Sequence, residues 1–372
     1  MKKEIKRGKI PIKLWLDDIE DGALQQAQNL SDLPFAFKHI SLMADSHQGF
    51  GMPIGGVLAT RDVIIPNAVG VDIGCGMCAV KTTLTGAGRD DLIKTVNKIR
   101  HRVPVGFKWH KKRQNDALMP RLSDYGKPPV ASREYKNACH QLGTLGGGNH
   151  FIEIQRGDDG YLWIMVHSGS RNIGKKVADY YNKMAKKLNE KENLIPANWD
   201  LAYLYSDSQQ AQDYFAEMNY CVAFAFANRR LMIERVQDAV REVFGDVNFL
   251  PPVNIAHNYA AYEEHFGEKV YVHRKGATSA KKGETGIIPG SQGAKSYIVE
   301  GMGNADSFAS CSHGAGRVMG RRAARRNLDL KKESARLEQQ GIIHSLHKPR
   351  DLDEAASCYK DISMVMKNQE DL

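Results

Sequence analysis

IGGVLAT (residues 54–60) and VIIPNAVGVDIGCGMCAV (residues 63–80) decide the fold class. Both are rich in Ile, Val and Gly and lack helical spacing, so they read as strands broken by glycine turns. The strand texture extends over residues 39–82. Beyond it, RDDLIKTVNKIRHRV (89–103) carries apolar residues at helical intervals. Residues 104–135, with Pro and Lys and few apolar side chains, read as a long exposed excursion. FIEIQ (151–155) and YLWIMVH (161–167) flank a GDDG turn and predict a strand pair. The stretch 173–247 reads as a large central helical insertion. Strands return at KVYVH (269–273) and SYIV (296–299), and residues 315–340 predict a basic helix. Strands and helices do not alternate strictly. The expected class is therefore α+β: a mixed-sheet or sandwich core flanked by helices, in one domain over residues 1–372.

The chain has 372 residues, 26% of them charged and 42% hydrophobic, which excludes a disordered, collagenous or coiled-coil protein. No window reaches the ~18 apolar residues of a membrane span. The basic N-terminus lacks the apolar block of a secretory signal, so a cytoplasmic protein without a membrane partner is expected. The six cysteines are mostly scattered and suit reduced thiols rather than a disulfide framework. A net charge of +9 suits a polyanionic partner such as nucleic acid.

Five histidines sit beside Gly- or Asn-containing turns: His47, His150, His167, His257 and His313. A single such histidine is more often a satisfied core residue. Five in similar loops point to metal ligation or acid–base and nucleophilic chemistry. Asp72 and Cys75, three apart on a tight turn, can converge on one ion, and with His150, His167 and His257 they make a mixed O, S and N donor set. A thiolate in the set favours zinc by softness alone. Cys78 completes a C-x-x-C with Cys75, but no second C-x-x-C exists, and Cys78 reads as a small buried hydrophobe. Three glycine loops suit phosphate: 289–293, 167–171 and 314–317. His313 precedes the last of these, where a neutral imidazole nitrogen can attack phosphorus; a further metal ligand or a helix cap is the plainer alternative.

Taken together, MADSHQGFGMPIGGV (43–57), PNAVGVDIGCGM (66–77), LGTLGGGNHFIEIQ (142–155), MVHSGSR (165–171), HNY (257–259), VHRKGATSA (272–280), IPGSQGAKS (288–296) and SCSHGAGRVMGR (310–321) resemble the RtcB-type RNA-splicing ligases. KDISMVM (360–366) is also family-like. The resemblance implies an RNA ligase of tRNA splicing or RNA repair. It joins 2′,3′-cyclic phosphate or 3′-phosphate ends to 5′-hydroxyl ends, using GTP and divalent manganese, such RNA ends being the implied partners and the need for an activator protein staying open. It implies two Mn²⁺ ions on Asp72, Cys75, His150, His167 and His257, with Cys75 bridging, and guanylylation of His313. It further implies nucleotide contacts from Asn149, His150, Phe151, Ile152, Glu153, His257, Asn258, Pro289, Gly290, Ser291, Gln292, Ser296, His313, Gly314, Ala315 and Gly316. Manganese displaces the zinc of the softness argument. Asp45 and His47 lie in the family's D-x-H motif, near the metals.

There are departures. Family members run past KDISMVM and finish on a lysine that contacts guanine, a position Lys367 does not match, which leaves three alternatives: loose use of GTP, a substitute residue for guanine, or preference for another nucleotide. Gln292 stands for a usual Met and Gly320 for a usual Ser. RNA contacts are expected from Lys108, Trp109, His110, Lys111, Lys112 and Arg113, and from Arg317, Arg321, Arg322, Arg325 and Arg326. The competing readings are a metal-dependent phosphodiesterase or cyclic phosphatase, a ligase with Lys275 as nucleophile, and an RNA-binding factor without ligase activity.

Overall fold

The computed structural model describes residues 1–126 and 128–372. Two sheets dominate it. The six-stranded sheet runs, edge to edge, Lys3–Ile5, Ile12–Leu14, Ala36–Phe50, Met52–Thr60, Glu268–Lys275 and Asn258–His265. The four-stranded sheet runs Val253–Ala256, Gly76–Lys81, Leu162–Ser168 and Phe151–Arg156, antiparallel throughout. The chain passes from one sheet to the other at His257, which separates the adjoining strands Val253–Ala256 and Asn258–His265.

The central strands are buried on both faces and read as nearly continuous apolar runs. Two glycines permit contacts that a side chain would block. A Cβ on Gly76 would meet the Ile255 carbonyl oxygen at 1.9 Å, so only glycine lets these strands pair. Gly55 has φ +82°, and its Cβ would meet Ser46 Oγ at 2.5 Å and Asp45 Oδ1 at 3.0 Å. It lies opposite an irregularity in pairing between Leu42 and His47, and there Asp45 turns into the interior.

The α+β expectation agrees with this architecture. The central helical stretch is present as Arg171–Asn189 and the 36-residue helix Gln209–Phe244. A short strand between them, Leu204–Tyr205, pairs with Val63–Ile64. Ser208 caps the long helix by accepting from Ala211 N at 3.2 Å. Its C-terminal half packs Met232, Ile233, Val236 and Val240 against Cys78, Val80, Ile164 and Val166 of the four-stranded sheet. These helices thus form the back of the core. The expected excursion at 104–135 ends early, because Pro129–Gln141 is a helix whose first N–H groups, Val130 and Ala131, donate to the buried Glu217 carboxylate at 2.8 and 2.9 Å. The basic helix is two, Arg321–Asn327 and Leu330–Gln339, because Asp329 caps the second. Among the described residues no helix is long and apolar enough to cross a membrane.

Candidate active site

Strand ends on the four-stranded sheet gather one half of the site. Asp72 and Cys75 occupy the turn before Gly76–Lys81, and His150 immediately precedes Phe151–Arg156. His167 sits near the end of Leu162–Ser168, in register with both Met77 and Phe151. Cys75 Sγ lies 3.4 Å from His150 Nε2 and 3.3 Å from His167 Nε2. Asp72 Oδ2 lies 3.1 Å from His150 Nε2, and His257 Nε2 lies 3.3 Å from His167 Nε2. All five side chains expected as metal ligands are therefore brought together.

The outward nitrogens explain the inward ones. His150 Nδ1 is 3.0 Å from the Leu145 carbonyl and His167 Nδ1 is 2.9 Å from the Asn149 carbonyl. A carbonyl only accepts, so each Nδ1 is the donor; His167 Nε2 is then free to present a lone pair, while His150 Nε2 faces the Asp72 carboxylate. Burial, reinforced by neighbouring imidazoles, holds His167 and His257 well below the ordinary histidine range, so both are neutral. Burial and then Asp72 push the Cys75 thiol well above its usual value. For Asp72, burial works upward but is outweighed by His150, and the carboxyl stays below its ordinary range.

This pocket fits a divalent cation. Cys75, His150 and His167 offer ligand atoms all within 4.8 Å of one another. His257 Nδ1 is buried without a hydrogen-bond partner, while its Nε2 faces another imidazole nitrogen. Two ring nitrogens of neutral histidines in contact, beside a thiol and a carboxylate, are a poor protein interior but a good ligand set. Cys78 lies outside it, buried among apolar side chains and pushed up to about 11 by that burial.

His313 follows the short strand Ser310–Ser312 and closes the other half of the site. Its ring centroid lies 4.7 Å from that of His257. Its Nδ1 lies 2.6 Å from Asp45 Oδ2, and its backbone N–H donates to the same oxygen at 3.2 Å. The His313 side chain keeps 14% of its surface open and Asp45 none. Burial pushes the Asp45 carboxyl upward; the His313 ring and Lys360 outweigh it and hold the group below its usual range. Lys360 Nζ donates to the carbonyls flanking Asp45, Ala44 at 3.3 Å and Ser46 at 2.8 Å. His47 lies alongside, its Nδ1 donating to the Asp45 carbonyl at 3.1 Å.

The expected nucleotide contacts separate into two groups. Gln155 Nε2 donates to Glu153 and, at 3.3 Å, to Ser296 Oγ, which accepts from Gly290 N at 3.4 Å. A Cβ on Gly314 would stand 3.4 Å from the Pro289 carbonyl, so the 289–296 loop and the segment after His313 adjoin. Burial raises the Glu153 carboxyl to about 7. Other side chains are spent on protein. Gln292 Nε2 donates to the Glu354 carbonyl at 2.9 Å. Asn258 bridges the Asp72 carbonyl and Gly276 N at 3.1 and 2.7 Å. Ile152 packs in the apolar cluster around Cys78, while Phe151 faces the His167 ring at 5.5 Å. Lys275 Nζ donates to the Phe50 and Asn67 carbonyls at 2.6 and 2.9 Å, tying its strand to the end of Ala36–Phe50 and to the short helix Pro66–Val69, which disfavours it as a nucleophile.

Sequence reasoning gave Asp45 no firm role and missed Asn228 and Arg229, adjacent polar residues in the buried stripe of the long helix. Arg229 Nη1 donates to the Gly74 and Ser168 carbonyls, each at 2.8 Å, directly behind Cys75 and His167. Asn228 Oδ1 accepts from Gly143 N at 2.7 Å and Thr144 N at 3.1 Å, holding the loop that leads to His150. The only local signal was an Asn-Arg pair within an apolar periodicity.

The family model for tRNA-splicing ligase RtcB matches residues 26–372. RNA-splicing ligase RtcB1 of Escherichia coli is 39% identical over 392 residues, covering 97% of this chain and 94% of the relative. A second Escherichia coli protein, RNA-splicing ligase RtcB, is 38% identical with the same coverage. The tRNA-splicing ligase RtcB of Thermococcus kodakarensis is 32% identical, covering 97% of this chain and 91% of the relative. The chain belongs to the RtcB family of RNA-splicing ligases.

Proposed function

We propose that this RtcB-family chain joins RNA 3′-phosphate or 2′,3′-cyclic phosphate ends to 5′-hydroxyl ends through a guanylate carried on His313. The observation that carries the reading is the placement of His313 between two different supports: Asp45 at 2.6 Å from Nδ1 and the His257 ring at 4.7 Å. Asp45 orients the imidazole so that Nε2 is the free nucleophile, and its charge stabilises the cation that forms when Nε2 is phosphorylated. Asp72, Cys75, His150, His167 and His257 hold the proposed manganese pair, which supplies neutralisation of phosphate charge.

His313 Nε2 attacks the α-phosphorus of GTP, the new N–P bond replaces the bond to pyrophosphate, and pyrophosphate leaves. An RNA 3′-phosphate oxygen attacks the same phosphorus, breaking the N–P bond and freeing His313. The 5′-hydroxyl oxygen attacks the RNA phosphorus, loses its proton to solvent, and expels GMP. A 2′,3′-cyclic phosphate is first opened by water to the 3′-phosphate.

Incubation with manganese and labelled GTP tests this. Covalent label on the wild type, absent from His313→Ala, is the expected result. Label that survives His313→Ala and is lost in Lys275→Ala overturns the nucleophile. RNA with a cyclic-phosphate end separates the rival activity, since a hydrolase opens or dephosphorylates it without nucleotide and joins nothing. Competition among the four nucleoside triphosphates measures how strictly guanine is selected.

A further inference from the structure

Phe107, Lys108 and Trp109 take no part in the chemistry above. Phe107 is fully exposed and Trp109 is 43% exposed. They are nevertheless not on a loose loop. On one side, Leu145 N donates to the Pro104 carbonyl at 2.9 Å and Gly106 N donates to the Gly146 carbonyl at 2.6 Å, a short parallel bridge. On the other, His110 N donates to the His140 carbonyl at 3.0 Å, and His140 Nδ1 donates to the His110 carbonyl at 2.9 Å. Arg235 Nη1 reinforces this clamp, 2.6 Å from His110 Nε2 and 2.7 Å from the Gly143 carbonyl.

The first clamp grips the loop that positions His150, and the second holds the end of the helix Pro129–Gln141 from which that loop departs. The Leu145 carbonyl accepts from His150 Nδ1 at 3.0 Å, while the next residue, Gly146, holds Gly106. The aromatic tip is therefore anchored, through Gly106 on Gly146, to the segment that backs His150. Lys108, Lys111 and Lys112 are exposed, and among the described residues no carboxylate pairs with them. Arg113 is different, being spent on Asp116 at 2.6 Å. The other basic run is also largely spent: Arg317 and Arg321 each pair with Glu354 at 2.8 Å, and Arg325 pairs with Asp353.

We propose that Phe107 and Trp109 form a stacking platform for the unpaired nucleotides next to the reacting end of an RNA strand, with Lys108, Lys111 and Lys112 on its phosphates. The proposal rests on the RNA-ligase reading and names how that substrate is held. Two rings separated by one residue, fixed at both ends and surrounded by uncommitted cations, match a single strand, whose base faces are open. A duplex hides those faces, and an apolar protein partner would need a contiguous patch free of lysines. Because the tip is fixed before binding, little ordering cost offsets the stacking gain.

The test measures binding of a fluorescent single-stranded RNA ending in a 3′-phosphate, without nucleotide, to wild type, Phe107→Ala/Trp109→Ala and Phe107→Tyr/Trp109→Phe. The alanine pair should weaken binding by about 10- to 100-fold, and the aromatic pair should restore most of it. An RNA with abasic sites near its end should bind the wild type as weakly as intact RNA binds the alanine pair. The alanine pair should also raise the KM for RNA in ligation more than it lowers kcat. Unchanged affinity in the alanine pair, with or without a change in self-association, overturns the proposal, as does equal weakening for a blunt duplex. Since binding is read without nucleotide, a protein that stacks RNA here but takes no label on His313 refutes the reaction and leaves the platform standing.

Discussion

The two halves of the pocket use the same side chain for different ends. On the four-stranded sheet, His150 and His167 each donate Nδ1–H to a backbone carbonyl. On the six-stranded side, His313 sets Nδ1 against the Asp45 carboxylate. A carbonyl takes the Nδ1 proton and turns the other nitrogen toward a metal. A carboxylate also stabilises the protonated or phosphorylated ring, which suits a nucleophile. What each histidine does is thus set by the atom behind it.

That contrast can be broken from either side. His313→Ala should lower covalent labelling by GTP at least ~10⁴-fold while leaving metal content, read by elemental analysis, intact. Asp45→Asn should cost about 10²- to 10⁴-fold in the labelling rate, because an amide neither holds the same tautomer nor stabilises the cation. A rate within a few-fold of wild type would show that the carboxylate is only a packing feature. Cys75→Ala acts on the other half. It should weaken metal binding by more than about 100-fold, beyond what loss of an outer partner does. In cobalt-substituted protein it should also remove a thiolate-to-metal absorption band.

Smaller effects sharpen the comparison by probing what supports the ligand half. Arg229→Met strands the Gly74 and Ser168 carbonyls and should lower unfolding stability by about 3 kcal/mol, measured by denaturant titration. A last effect concerns pH. Burial raises Glu153 to about 7 from an ordinary 4.5. The folded state therefore binds this proton more tightly than the unfolded state. Its contribution is fully present below about pH 4.5 and is lost as pH rises through 7. Glu153→Gln should flatten the fall in Tm between pH 5 and 8; an equally steep fall would place the titration elsewhere.

Much of the site was legible because its chemistry depends on residue type and tight local spacing. Asp72 with Cys75, the glycine loop before His150, and His313 before Gly314 and Gly316 are visible as short motifs. The strand pair 151–167 was legible from its turn, and the helical stretch from its periodicity. The break at Asp329 and the helix Pro129–Gln141 were not, since one depends on a cap and the other on a carboxylate brought from Glu217.

The linear chain by itself determined the inventory: an α+β protein, a thiolate-and-imidazole donor set, and glycine loops that let backbone approach a ligand. Only the tertiary structure decided the partnerships. Asp45 and His313 are separated by 268 residues, and Arg229 reaches Gly74 across 155. No local periodicity records such pairings, because they come from the packing of two sheets and a helix, which turns side chains of distant segments toward one buried volume.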